Sequence, residues 1–240
     1  MKAIILAAGR GTRISRYLHG NPKCTVDIGG ELLIEYTIKM LNSNGIKDIA
    51  ICTGYEHKVI EDILLKYNIN YFYNPFFDVT NSIASIWFAK DFITLNDDYL
   101  IMNGDVYMEE SVLKQAIETK KSPVLFSDEK RIKEADYRFK YKDCILEKYG
   151  KDLLDEETTG EYVGIGIIRK NFISIFKEKL LALINSQQHS VWWENILYSM
   201  VPTTDIFVEN VGDKFWAEVD YIEDYERILE YRKNNFLRID

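Results

Sequence analysis

Two basic side chains stand just behind a run of small residues near the start of the chain. The run is Leu6-Ala7-Ala8-Gly9-Arg10-Gly11-Thr12-Arg13, and Asn21-Pro22-Lys23 follows. A loop of Ala and Gly lacks bulky side chains, so its backbone N–H groups can approach a phosphate chain closely. Arg13 can grip phosphate oxygens as a planar fork. Lys23 adds a compact charge on a Pro-stiffened turn. Two carboxylates come from distant parts of the chain. Asp105 lies just past the apolar run Tyr99-Leu100-Ile101-Met102, and Asp220 follows a second apolar stretch. Such a pair could share Mg²⁺ that bridges triphosphate oxygens. Each has a structural alternative. Asn103-Gly104-Asp105 is a good turn sequence, and Asp220-Tyr221-Ile222-Glu223 fits a capping box for a last helix.

Other phosphate motifs are excluded by spacing. The loop is not G-x-x-x-x-G-K-[ST], so it is not a P-loop. In G-x-G-x-x-G the third Gly would fall where Arg13 and Ile14 stand, which weighs against a dinucleotide-dependent oxidoreductase. His19, His57 and His189 show no ligand spacing, and Cys24, Cys52 and Cys144 show no paired spacing.

The elements that must carry these residues alternate. Ala3-Ile4-Ile5-Leu6 is a continuous apolar run, as for a strand buried on both faces. Leu33, Tyr36, Met40 and Leu41 follow helical spacing, with Gly45 where a C-terminal cap falls. Strands are expected at 49–53, 70–73 and 99–102, with helices around 59–67 and 82–91. This α/β alternation predicts a Rossmann-like doubly wound, mainly parallel sheet with ligands at the strand carboxyl ends. After about residue 120 the pattern changes. Shorter strands are expected within 135–150 and 161–168, then helices at 171–185 and 190–200, a strand at 204–208 and a last helix at 221–234. No linker rich in Pro, Gly or Ser divides the chain. One domain over 1–240 is expected, with a nucleotide-binding half (1–120) and an acceptor-binding half (121–240).

Composition narrows the partners. The 240 residues are 47% hydrophobic and carry a net charge of −8, which suits one sizeable core and argues against a general nucleic-acid binder. Residues 1–26 nevertheless hold five basic side chains (Lys2, Arg10, Arg13, Arg16, Lys23) and no acidic one, pointing to a local anion site. No run reaches the ~20 apolar residues of a membrane span. The short apolar start runs straight into Gly9-Arg10-Gly11, unlike a signal peptide. A cytoplasmic location is expected from the unpaired cysteines. A homodimer is compatible with the sequence, which does not fix the oligomeric state.

The combination L-A-A-G-x-G-T-R followed by P-K resembles the signature of the nucleotidyltransferases that activate sugar 1-phosphates and small phosphorylated alcohols. Asn103-Gly104-Asp105 and Glu218-Val219-Asp220 look like that family's metal-binding carboxylate motifs. Thr80-Asn81-Ser82-Ile83, Gly160 to Ile165 and Trp193-Glu194-Asn195 resemble its cytidylyltransferase branch acting on phosphocholine and aminoethylphosphonate. The Gln-Pro-x-Gly-Leu-type motif of the sugar branch is missing near Thr80.

The resemblance implies a nucleotide-diphospho-sugar transferase type of fold with a small additional β/α acceptor-binding part. It implies CMP transfer from CTP to a small phosphorylated acceptor, with release of pyrophosphate and Mg²⁺ as cofactor. Leu6, Ala8, Gly9, Gly11, Thr12, Thr80 and Asn81 would line the nucleotide. Arg13 would hold the β- and γ-phosphates, and Lys23 would stabilise the reacting α-phosphate. Asp105 and Asp220 would hold the metal, and Glu161, Trp193 and Glu194 would meet the acceptor. The acceptor phosphate is already anionic, so no general base is needed. A sugar-1-phosphate nucleotidyltransferase and a non-catalytic nucleotide-binding regulatory module are the alternatives. The retention of Arg13, Lys23, Asp105 and Asp220 weighs against the second.

Overall fold

In the computed structural model, residues 1–11, 13, 14, 18 and 20–236 are described. Thr12 and His19 lie outside the described residues. The central strand is β1 (Lys2–Ala7), buried from Ala3 onward. It pairs in parallel with β2 (Ile49–Thr53) on one side and β4 (Tyr99–Asn103) on the other. β2 in turn pairs in parallel with β3 (Ile69–Tyr73). Successive side chains of a strand face opposite sides of the sheet. Ile5 therefore packs with Ile34, Ile38 and Leu41 of α1 (Leu33–Ser43). Ile4 and Leu6 pack with Ile83 and Ile86 of α3 (Ser82–Phe88). Both faces of β1 are covered by helices, which is why the strand reads as a continuous apolar run. The short helix α2 (His57–Ile63) links β2 to β3.

The sequence pattern leaves several elements unread, among them three in one stretch. These three are β5 (Val106–Met108), α4 (Glu110–Glu118) and β6 (Val124–Asp128). β5 is too short to show a period, and β6 follows the helix after only five residues. β7 (Arg138–Lys142), β8 (Ile145–Gly150) and β9 (Gly160–Ile168) follow, then α5 (Ile173–Asn185) and α6 (Asn195–Tyr198). β10 (Phe207–Asn210), β11 (Trp216–Glu218) and α7 (Ile222–Phe236) complete the order.

The helix expected at 190–200 is only the four residues of α6. Residues 189–193 instead run along the start of α3. His189 and Val191 offer carbonyls to the amides of Asn81 and Ile83, and the Trp193 amide donates to Ser82 Oγ at 2.8 Å. The strand expected at 204–208 is β10, which starts later, at Phe207.

The large sheet has the order β3-β2-β1-β4-β9-β6-β10-β8-β7. Seven of its nine strands run one way, and β8 and β9 run against them. β9 also meets β7, pairing Arg138 with Glu161 and Phe139 with Gly160. Strands β9, β6, β10, β8 and β7 therefore close into a ring attached to the parallel half. The β6–β9 register breaks between Leu125 and Ser127. Opposite that break Gly164 has φ +82°, and a Cβ there would come within 2.7 Å of Val106 Cγ2. The bulge needs glycine.

A separate two-stranded ribbon pairs β11 with β5 in antiparallel register. It rests on a third apolar cluster that joins Ile14 and Leu18, behind the glycine loop, to Tyr107, Val219 and Ile228. This cluster fixes the loop against the ribbon and so sets where Arg13 and Asp220 meet. No described helix is long and apolar enough to cross a membrane.

Candidate active site

The glycine loop leaves the carboxyl end of β1, and Asn103-Gly104-Asp105 leaves the carboxyl end of the adjacent β4. The Gly104 amide donates to the carbonyl of Leu6 at 2.8 Å, tying the two turns together. Asp220 arrives through the ribbon. Glu218 pairs with Val106, and the Val219 amide donates to the Asp105 carbonyl at 2.9 Å. The register of two short strands thus brings together carboxylates more than a hundred residues apart.

Lys23 opens a single 3-10 turn (Lys23–Thr25), entered from Pro22 at φ −61° and held by Thr25 Oγ1 donating to the Pro22 carbonyl at 2.7 Å. Its stem lies over Gly11. That glycine has φ +63°, and a Cβ there would lie 2.3 Å from Lys23 Cγ. Gly11 therefore leaves room for the lysine. Lys23 Nζ sits 2.6 Å from Asp105 Oδ2 and also bonds Asp220 Oδ1. Burial disfavours the ammonium, but Asp105 and Asp220 outweigh it and hold Lys23 above the ordinary lysine range. Arg13 Nη1 lies 2.9 Å from Asp220 Oδ2 and 3.7 Å from Asp136. Asp220 is thus engaged by two cations. The backbone at the start of α7 is served by Asp224, which accepts from the Tyr221 amide at 3.2 Å.

Glu218 joins the cluster. Burial, then the charges of Asp105 and Asp220, push its carboxyl well above the ordinary range. Asn103 Nδ2 reaches its Oε1 at 3.4 Å. Among the described residues no three His, Cys, Asp or Glu are arranged to hold a metal ion unaided. Mg²⁺ commonly binds through one or two carboxylates plus substrate phosphates, so Asp105 and Asp220 fit it with a triphosphate present. A raised Glu218 marks an excess of negative charge that such a cation would relieve.

Of the cavities that open from this cluster, two hold most of the residues expected at the nucleotide and the acceptor. One, of about 210 Å³, runs between Leu6, Ala8 and Gly9 on one side and Thr80 and Asn81 on the other, with Asp105 at its end. No atom lies within 4 Å of the place a Cβ on Gly9 would take. Gly11 lines neither this cavity nor its neighbour. Thr80 and Asn81 are held by their own contacts. Buried Asn74 donates to Thr80 Oγ1 at 3.0 Å and to Ser85 Oγ at 3.1 Å, and Asn81 Oδ1 caps α3 through the Ser82 amide. Asn74 was not singled out by sequence. Its only signal is the Asn74-Pro75 turn pair.

The second cavity, of about 230 Å³, has walls of Tyr137, Tyr162, Trp192 and Tyr198, with Glu194 among them and Arg13 and Asp220 at its inner end. The aromatic expectation shifts here by one residue. Trp193 is fully buried in the core against Gly166, whereas Trp192 is 41% exposed and lines both cavities. The turns over 189–194 point the two neighbouring rings to opposite sides. Glu194 lies in the cavity, and burial pushes its carboxyl up to about 7, partly opposed by its own amide and the nearby Tyr162 and Trp193. Glu161 does not line it. Its carboxylate pairs with Arg131 at 2.7 Å and accepts the Asp136 amide at 2.8 Å. Glu161 holds the backbone of Asp136 and lines a neighbouring cavity with Arg131, Trp216 and Asp220. Asp136, Tyr137, Lys151 and Tyr198 carried no sequence signal. They reach the cavity through the β7–β9 closure and α6, which are tertiary features.

The MobA-like NTP transferase domain family matches residues 3–152. The CTP:phosphoglutamine cytidylyltransferase of Campylobacter jejuni is 27% identical over 96% of this chain and 100% of that protein. The choline-phosphate cytidylyltransferase of Streptococcus pneumoniae is 27% identical over 98% of this chain and 99% of its own length. The solved CTP:phosphocholine cytidylyltransferase of S. pneumoniae superposes with a TM-score of 0.79 at 22% identity, covering 96% of this chain and 98% of that one. That likeness shows the nucleotide-diphospho-sugar transferase type of fold. With more than half its length matched, and with the glycine loop, Lys23 and Asp105 inside the match, the chain belongs to the family of MobA-like NTP transferase domains.

Proposed function

We propose that this chain transfers CMP from CTP to a small, non-sugar phosphorylated acceptor bearing an amine, with release of pyrophosphate and with Mg²⁺ as cofactor. One observation carries the reading. A cavity walled by four aromatic rings and furnished with a buried carboxylate opens onto Arg13 and Asp220, and Asp220 is bonded in turn by Lys23. Aromatic faces beside carboxylates suit an organic cation. A sugar ring calls instead for several neutral hydrogen-bond partners. The CTP-using relatives favour the same branch. In this reading residues 1–120 serve the nucleotide and 121–240 the acceptor, with Asp220 and Glu218 as the exceptions from the second half.

The chemistry asks for positioning and charge rather than a covalent intermediate. The triphosphate lies along Leu6, Ala8 and Gly9, with Thr12 in the same loop. Arg13 holds the β- and γ-phosphates. Lys23 stabilises charge on the α-phosphate as the acceptor oxygen attacks in line and pyrophosphate leaves. Both cations now rest on Asp220, so substrate binding exchanges one set of anions for another. Asp105 and Asp220 would hold Mg²⁺, which when bound neutralises phosphate charge. Glu161 and buried Trp193 support the acceptor side from behind, and Trp192 and Glu194 face it.

The test is a pyrophosphate-release assay crossing CTP, UTP, dTTP, GTP and ATP with phosphocholine, 2-aminoethylphosphonate and glucose 1-phosphate. CTP with an amine-bearing acceptor is the expected pair. Transfer confined to the sugar phosphate would move the chain to the sugar branch. Triphosphate binding with no transfer to a broad acceptor panel would favour a regulatory module.

A further inference from the structure

We propose that Asn81 selects cytosine over uracil and thymine by donating from Nδ2 to N3 of the base. The inference rests on the reading of the cavity between Ala8 and Thr80 as the nucleotide site and deepens it. The polar side chains along that cavity differ in what they have left to offer. Asn74 is 1% exposed and fully used: Nδ2 donates to Thr80 Oγ1 and Ser85 Oγ, and Oδ1 accepts from the Phe76 amide. Thr80 spends its hydroxyl proton on the Phe76 carbonyl at 2.7 Å. Ser82 Oγ accepts the Trp193 amide and keeps a hydroxyl that can turn to donate or accept. Asn81 has no such freedom. Its Oδ1 accepts the Ser82 amide at 2.8 Å, which fixes the orientation of the side-chain amide. The carbonyl end is turned to the backbone, and Nδ2 with its pair of N–H donors is left over. Asn81 is partly exposed and lines the cavity. Its Nδ2 has no hydrogen-bond partner among the described residues and is not shut off from solvent. The main-chain amide of Asn81 donates to the His189 carbonyl at 3.0 Å, so the backbone of the residue is held as well.

The pyrimidines differ at the atom that such a donor reads. Cytosine N3 is an acceptor, beside the O2 acceptor. Uracil and thymine carry N3–H instead. A locked donor at N3 therefore bonds cytosine and meets the other bases donor to donor, which leaves both N–H groups unmet. A hydroxyl could rotate to suit either base, and a locked amide cannot. One mismatch of this kind costs on the order of tenfold in affinity.

The experiment is calorimetric binding of CTP, UTP and 3-deaza-CTP (N3 replaced by C–H) to the full chain, with Mg²⁺ and without acceptor. Wild type should bind CTP about tenfold or more tighter than either UTP or 3-deaza-CTP. Asn81→Asp and Asn81→Ser each keep an oxygen for the Ser82 amide. Asn81→Asp puts an acceptor where the donors stood, so the CTP/UTP affinity ratio should fall by about tenfold or more. Its added charge acts on both triphosphates alike and cancels in that ratio. Asn81→Ser should bind CTP and 3-deaza-CTP equally. Melting curves report whether each variant folds, and the wild-type comparison needs neither. Wild type binding 3-deaza-CTP as tightly as CTP would overturn the inference. So would a folded Asn81→Asp that keeps the wild-type CTP/UTP ratio. Selection of CTP in this way with no CMP transfer to any acceptor would instead sink the proposed activity and leave the base selection standing. CMP transfer with an unmoved ratio would do the reverse.

Discussion

Lys23 reaches Asp105 at 2.6 Å, joining the turn behind the glycine loop to the end of β4. The same ammonium also bonds Asp220, which Arg13 holds from the other side. The two cations suited to phosphate and the two carboxylates suited to a metal therefore neutralise one another. A triphosphate with its cation can replace both partners at once, so the charges need not be left unpaired on the way to the loaded site.

Turnover should require a divalent cation, and Asp105→Asn and Asp220→Asn should each lower kcat by roughly 100-fold or more, the scale of losing one transition-state charge contact. Chelator should abolish activity, and added Mg²⁺ should restore it. Circular dichroism should be unchanged, since both carboxylates sit at turn positions beyond β4 and β11. Full activity of Asp220→Asn in Mg²⁺ would remove that residue from the metal site.

Lys23→Ala should lower kcat more than it raises the Michaelis constant for CTP. An interaction made only in the transition state changes the rate constant. The expected loss is again about 100-fold. Removing the ammonium also leaves Asp105 and Asp220 without their shared partner, so the melting temperature should fall. An effect confined to the Michaelis constant would place Lys23 on the ground-state triphosphate only.

The two adjacent tryptophans should separate binding from stability. Trp192→Ala should raise the acceptor Michaelis constant severalfold with little change in melting temperature, because the ring is 41% exposed. Trp193→Ala should cost about 3–5 kcal/mol, the usual penalty for emptying a fully buried aromatic position. Denaturant titration and acceptor kinetics measure the two effects. The opposite pattern would return Trp193 to the acceptor.

The glycine loop and its two cations were legible in sequence because they are local. Leu6 to Lys23 is one continuous stretch, and β1 and β4 announced themselves as apolar runs. Asp105 and Asp220 could be named but not joined, since their meeting depends on the Glu218–Val106 register of a ribbon too short to show a period. The acceptor cavity was the least legible part. Tyr137 and Tyr198 come from β7's approach and α6, and only the closure of β9 against β7 brings them opposite Trp192. Which of Trp192 and Trp193 faces the cavity turns on whether the segment is helical or made of irregular turns, and the helical pattern at 190–200 pointed the wrong way.

Glu194 should give the stability curve a distinctive slope. Burial raises its folded pKa to about 7 from the ordinary carboxyl value of 4.5. Between those two values the folded state binds a proton that the unfolded state has lost. This group's contribution therefore declines as pH rises from about 4.5, and levels off above about 7, where both states are ionised. Glu194→Gln removes the ionisation, so the variant should gain on wild type across that window. The gain should be on the order of 3 kcal/mol by pH 8. Urea unfolding of both proteins at pH 5 and pH 8 measures it. A constant difference between them would mean that the Glu194 pKa is unshifted by folding. The same ionisation bears on the acceptor. A cation in the cavity favours the carboxylate, so amine binding should strengthen as pH rises through about 7 in wild type and stay flat in Glu194→Gln.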